Sequence, residues 1–431
     1  MTMDHSARVV RATVLAVLTT GALACHQSAT EPEKVTPPLV FDQIAAGAYH
    51  NCGLVHGGSV YCWGEDDWGQ LGTGGPYQGF HIETAPVKAQ TEVQFTSVSG
   101  DEQHDGRSGH TCAIAIDGGV YCWGSGAWGM LGDGEHGENV DDLHMNSIPT
   151  RATGIQSARQ VVLGGKHTCV LDDAGAAWCV GSNHDGQIGV ASVSSSCAID
   201  SFPEPCALQF TEVSGSHRFE RIVAGGYHNC GLTDAGEAWC WGMGGMGALG
   251  TDETYTPGLP VAVSGDLRWK SLAAGEFHTC GITSDGSTYC WGLNYAGAIG
   301  NGESSGVEGV PVLVQAPEAF TSVYAGNGFS CALTSDGTAY CWGRNDQGQL
   351  GATSAGSCDV PSETGPTSHC STTPTAVQTS IRFTALALGF QHACGLTAQG
   401  EVYCWGGNEH GQLGTGNTVD SAEPVKLIDT P

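Results

Sequence analysis

The chain has 431 residues, of which 14% are charged, and 44 Asp+Glu against 15 Lys+Arg give a formal net charge of −29. A surface that acidic repels phosphate backbones, which argues against nucleic acid as a partner and requires any electrostatic partner to be basic or bridged by cations. Nineteen cysteines, an odd number, call for one cysteine with a separate fate.

Residues 1–24 read as a targeting segment. Arg8 and Arg11 flank a largely apolar run that ends in Ala22-Leu23-Ala24 before Cys25, giving a charged n-region, an h-region and a small-residue cleavage site. The run is shorter than the roughly 20 apolar residues of a membrane-spanning helix. Cys25 directly after the cut resembles the lipidated cysteine of a bacterial lipobox, and a lipid anchor there accounts for the odd cysteine. Residues 25–38, with three prolines and little to bury, read as a disordered tether. The expected location is the cell envelope, as an outer-membrane or surface lipoprotein, or otherwise the periplasm or medium.

From residue 39 to 431 one unit returns seven times. Its cysteine pairs are Cys52 with Cys62, Cys112 with Cys122, Cys169 with Cys179, Cys230 with Cys240, Cys280 with Cys290, Cys331 with Cys341 and Cys394 with Cys404. The members of each pair are ten residues apart, and successive copies begin 60, 57, 61, 50, 51 and 63 residues apart. A period of that length signals a circular or stacked array of small units. Each unit reads as a β-hairpin. Gly58, Gly118, Gly175, Gly236, Gly286, Gly337 and Gly400 stand six residues after the first cysteine, where a three-residue loop closed by a bulge needs positive φ. That loop sets Cys52 opposite Cys62 and Gly53 opposite Tyr61. Opposed Cβ atoms about 4.5–5.5 Å apart come within disulfide reach if the strands pinch. The aromatic residue before every second cysteine is expected to cover the small residue facing it across the ladder. Cys197 with Cys206 and Cys358 with Cys370 complete an even set suited to an oxidising compartment. Zinc on His50-x-Cys52 with Cys62 is the competing use, but no C-x-x-C accompanies it.

The repeat resembles that of the regulator-of-chromosome-condensation family. The matching parts are Gly and His before a short strand, a Tyr-x-Trp-Gly strand, an Asn-containing turn and Gly-Gln-Leu-Gly, all present in Tyr340-Cys-Trp-Gly-Arg-Asn-Asp-Gln-Gly-Gln-Leu-Gly351. The resemblance covers residues 40–428 and implies an all-β, seven-bladed β-propeller, with one cross-strand disulfide per blade when joined to the cysteine register. The cysteine pairs resemble bacterial secreted versions. The ring is expected to close by pairing segments from both chain ends in one blade.

Variation between repeats marks the candidate binding surface. Insertions at 190–210 and 352–382, each with its own cysteine pair, occupy the same place in the repeat and so should leave the same face of the disc. Trp68 and Trp128, in place of the usual polar residue before the Gly-x-Leu-Gly turn, are candidate aromatic anchors, with inter-blade packing as the alternative. The acidic stretch 133–142 contributes Asp141 and Asp142 as further candidates, although its spacing is not that of an EF-hand. His50, His110, His167, His228, His278 and His392, with Phe329 in the sixth copy, read as architectural. Gly124–Gly129 and Gly242–Gly247 match G-x-G-x-x-G and Gly302–Gly306 matches G-x-S-x-G, but none sits in the strand-to-helix context those motifs require. The expectation is a monomeric, non-enzymatic binding propeller with no cofactor and no metal, recognising a protein or glycan. The resemblance also implies guanine-nucleotide exchange as an alternative, and analogy with bacterial and other propellers adds an extracytoplasmic enzyme inhibitor or a hydrolase or lyase.

Overall fold

Each repeat forms one antiparallel sheet. In the computed structural model, which describes residues 38–75, 79–101, 109–137, 144–199, 202–252, 258–352, 356–358 and 368–428, the first sheet pairs Phe41–Ala46, His50–Val55, Ser59–Glu65 and Ile82–Lys88 in that order. Five sheets have four strands and two have five. The innermost strands, among them Phe41–Ala46, Phe95–Gly100 and Phe219–Ala224, surround a central channel of about 1050 Å³. The protein is a seven-bladed β-propeller.

The predicted register holds in all seven blades. Cys52 faces Cys62, with Gly53 opposite Tyr61 beside them. In the same way Cys112 faces Cys122, Cys169 faces Cys179 and Cys230 faces Cys240. The last three blades set Cys280 against Cys290, Cys331 against Cys341 and Cys394 against Cys404. All seven pairs are disulfide-bonded as expected. Their Cα–Cα separations are 4.0–4.2 Å, pinched below the usual spacing of about 4.5 Å for a non-hydrogen-bonded pair. Gly58 has φ of 85° and donates to the Val55 carbonyl, closing the three-residue loop.

Two expectations need correction. Gly53 is covered by Phe41, not by Tyr61: a Cβ at Gly53 would collide with the Phe41 ring. A bulge between Phe41 and Gln43 turns that ring onto the ladder, and Phe219, Trp269 and Phe383 cover Gly231, Gly281 and Gly395 in the same way. Nor do the chain ends share a blade. The inner strand precedes the hairpin and the outer strand follows it, so a whole blade is complete between Phe41 and Lys88, and another between Phe383 and Lys426. The ring closes as blades meet elsewhere, with the Phe41 amide donating 2.9 Å to the Gly400 carbonyl as Phe95 does to Gly58.

The core lies between blades. Cys52, Leu54, Val60 and Leu71 of the first blade pack against Phe95, Val98 and Trp123 of the second, and Phe41 and Trp63 pack against Leu396, Leu413 and Leu427 of the last. Trp63, Trp123, Trp241, Trp291, Trp342 and Trp405 are fully buried. Each removes roughly 150–250 Å² from water, about 4–6 kcal/mol of transfer free energy.

Candidate interaction face

In every blade the turn between the second and third strands lies at one face of the disc. The connections between the first and second strands, and between the third and outer strands, lie at the other. Both insertions belong to this second face, as expected. In the third blade Ser195–Ile199 adds a strand outside Phe202–Glu212, bonded through Cys197 and Cys206. In the sixth, Gly356–Cys358 adds one outside Ser368–Ala376, bonded through Cys358 and Cys370. Each staple leans on the preceding blade at the same repeat position. Cys197 Sγ lies 3.6 Å from the Trp128 carbonyl oxygen, and Cys358 Sγ 3.7 Å from that of Ala296.

This contact overturns Trp128 as an exposed anchor. The stapled strand of the third blade covers it, leaving it 3% exposed in a cluster with Met130, Cys197 and Cys206. Lys166 Nζ sits 4.2 Å from the ring centroid. Trp68 is half-buried beside Gly109. Cys25, Asp141 and Asp142 lie outside the described residues.

The mouth of the channel on this face is built from the residues just before each blade histidine. The Gly165 amide donates to the Gly226 carbonyl, Gly226 to Gly275, Glu276 to Gly326, and Phe390 to Ala48, so at these four joints the loops bond to one another. Glycine is needed at Gly225 because a Cβ would meet the Gly275 carbonyl oxygen and the His228 ring. Half-buried aromatic residues rise from this collar. Tyr49 lies 5.4 Å from Phe390 and 4.2 Å from the His410 ring, and Tyr227 stacks on Phe277 at 5.3 Å. Arg344 pairs with Asp346 at 2.6 Å and lies 6.0 Å from the Phe390 centroid.

Carboxylates crowd the same face. Burial, then the charges of Asp67, Asp101 and Asp66, push Glu65 up to about 8, and burial pushes Glu276 up to about 7 despite Arg344. Burial also raises Tyr49 to about 12. Among the described residues the only lysine and arginine on this face are Lys166 and Arg344. Arg151, Arg159, Arg218, Arg221, Arg268, Lys270 and Arg382 stand at the other.

Below the mouth the histidines join blade to blade. His50 Nε2 meets Thr111 Oγ1 at 2.9 Å, and that hydroxyl donates to the Gln70 carbonyl, which also accepts from Trp123 Nε1. The partners of His110, His167, His228, His278 and His392 are Thr168, Asn229, Thr279, Ser330 and Asn51, always in the next blade. The hydroxyl partners already donate to a carbonyl, and Asn229 and Asn51 face the ring with their amide oxygens, so Nε2 carries the proton. The expected architectural role holds, with a neighbouring side chain as the partner. Asp101 stands where the other blades have glycine, and its Oδ2 lies 3.2 Å from His110 Nδ1, both residues fully buried.

The model of the RCC1-like domain matches residues 106–430, and models of the RCC1 repeat match 41–70 and 57–104. The chain belongs to the RCC1-like family. It is 28% identical over 403 residues to the ultraviolet-B receptor UVR8 of Arabidopsis thaliana, covering 92% of this chain and 83% of that one. It is 32% identical to the E3 ubiquitin-protein ligase HERC2 of Homo sapiens, across 84% of this chain and 7% of that one. The solved structure of Prp20p from Saccharomyces cerevisiae superposes with a TM-score of 0.72 at 20% identity, over 91% of this chain and 88% of that one. In this RCC1-like propeller the residues at the mouth, Tyr49, Tyr227, Glu276, Phe277 and Phe390, escape a reading of the sequence alone. Their signal is that the two positions before each histidine change from repeat to repeat while the flanking framework recurs.

Proposed function

We propose that this RCC1-like propeller is an exported, lipid-anchored, non-enzymatic binding protein that holds a protein or glycan partner on the face bearing the two stapled strands. The observation that carries this reading is their shared construction. Two blades three apart each extend a fifth, disulfide-bonded strand on one face, and each strand rests on the blade before it. Such a rim is ordered before the partner arrives, so association costs less entropy. Nine disulfides favour an oxidising compartment and argue against the cytosolic GTPase that guanine-nucleotide exchange would require. Prp20p, whose structure is described together with its binding to Gsp1p and histones, is a precedent for protein binding on this fold.

The test is affinity capture from the native envelope and medium, comparing the intact chain with one that lacks only the added strands Ser195–Ile199 and Gly356–Cys358 and carries Cys206→Ser and Cys370→Ser, so that both outer blade strands remain. The expected result is a partner held only by the intact chain; equal capture by both refutes the assignment of the face. Export and anchoring are tested by fractionation. Cys25→Ser should release the protein from the membrane fraction, and unchanged membrane association would refute the anchor.

A further inference from the structure

We propose that the collar recognises a cation: a lysine or arginine side chain of the partner enters the mouth and is held by Glu276 against the Tyr227–Phe277 stack. This rests on the reading of the loop face given above and names the chemistry of the partner.

Three observations converge. First, the fold makes room for Glu276. It occupies a collar position where the third and fourth blades carry Gly165 and Gly226, and a Cβ on Gly226 would lie 3.0 Å from Glu276 Cγ. The side chain therefore lies across the glycine floor, half-buried, with Asn327 Nδ2 donating to its Oε2. Second, the face already shows the preferred contact twice, with Lys166 over Trp128 and Arg344 over Phe390. A cation over an aromatic ring gains about 0.5–2 kcal/mol according to its desolvation, and here Glu276 is the chain neighbour of Phe277, with its Cγ beside Gly226, the chain neighbour of Tyr227. Third, the charge balance of the face is one-sided. Among the described residues, Asp66, Asp67, Asp185, Glu276, Asp346 and Glu409 stand on it against Lys166 and Arg344, which is complementary to a basic segment and repels an acidic one.

The groups facing Glu276 include Arg344, which favours its ionised form, and Asn327, which bonds to it; burial opposes ionisation. With that balance near neutrality, a bound cation draws a proton off the carboxyl. Binding at pH 7 should therefore release protons.

The probe is an acetylated lysine octapeptide, with a glutamate octapeptide as control, titrated calorimetrically at physiological ionic strength in buffers of different ionisation enthalpy. The lysine peptide should bind and release protons; the glutamate peptide should do neither. Glu276→Gln keeps the shape and the Asn327 contact. It should weaken binding on the order of tenfold and abolish proton release. Phe277→Leu should weaken it several-fold, whereas Glu237→Gln, the same charge change on the opposite face, should alter it less than twofold. Equal losses in Glu276→Gln and Glu237→Gln, or no proton release from the unmodified chain, would overturn the proposal in favour of diffuse attraction to an acidic protein. The two readings fail separately. A partner captured through the stapled face with no affinity for the lysine peptide sinks the cation site alone. Lysine binding that depends on Glu276, beside capture indifferent to the insertions, sinks the stapled rim alone.

Discussion

Replacing one histidine joint with the apolar joint the chain already contains should change how stability responds to acid. Between the sixth and seventh blades the histidine is Phe329 and its partner position is Ala393, both fully buried in one cluster. Burial holds His50, His167 and His278 at about 4, and His228 and His392 at about 3, against an ordinary value of 6.5. A lowered folded value means the neutral ring is the one that fits. Stability is complete above pH 6.5 and drains as pH falls from there towards 3–4, because the unfolded chain takes up protons that the fold refuses. Between pH 7 and 5 each such ring gives up about 2 kcal/mol, or about 9 kcal/mol for five. Glu65 and Glu276 act in the opposite sense, since their folded values are raised and protonation suits the fold; together they return about 5 kcal/mol over the same range. The five histidines outweigh the two carboxyls, so acid weakens the fold over this range.

The double variant His278→Phe, Ser330→Ala copies the sixth joint into the fifth. Ser330 loses its bond to the Ala298 carbonyl, but that oxygen keeps Trp342 Nε1 at 2.9 Å. Urea unfolding with disulfides intact, run at pH 6 and pH 5, should show the variant losing about 1 kcal/mol less than the parent over that unit. The comparison between pH values cancels whatever the substitution costs at neutrality. An identical pH slope in both proteins would refute the claim that His278 is held neutral by the fold.

Within a single blade, Cys52→Ala with Cys62→Ala should cost about 2.5–3 kcal/mol, the chain-entropy value for so short a loop, measured by urea midpoint; no loss would show the hairpin to be fixed without its bond. Val170→Gly should cost about 3 kcal/mol, because the third blade fills with Val170 and Ala158 the space that Gly53 and Phe41 fill in the first. Adding Ala158→Phe should recover most of that loss in the same assay, and a double variant no better than the single would contradict the exchange. Trp342→Phe should cost about 1–2 kcal/mol through the lost indole bond to Ala298, read as a drop in thermal midpoint.

The blade is legible because its signals are local. A glycine at a fixed distance from a cysteine, and an aromatic residue beside the second cysteine, specify turn, register and pairing within a dozen residues, and Cys52, Gly58 and Cys62 carry all three. Contact between elements far apart in the chain is what local signals miss. Phe41 reads only as a residue before the repeat, although its bulge lays it on Gly53; Trp128 reads as either an exposed anchor or inter-blade packing, and only a strand 69 residues later decides for packing. Yet one long-range contact is written in the sequence. Wherever a blade has histidine, the residue before the next blade's first cysteine is Thr, Asn or Ser, and where it has Phe329 that residue is Ala393. Donor is matched to acceptor and ring to methyl, across a separation no hairpin rule reaches. The same comparison exposes the mouth. Positions that must satisfy a neighbouring blade repeat or change in pairs, whereas Tyr49, Lys166, Tyr227, Glu276, Phe277 and Phe390 change one at a time. Residues released from the framework in this way are where a partner can impose its own chemistry.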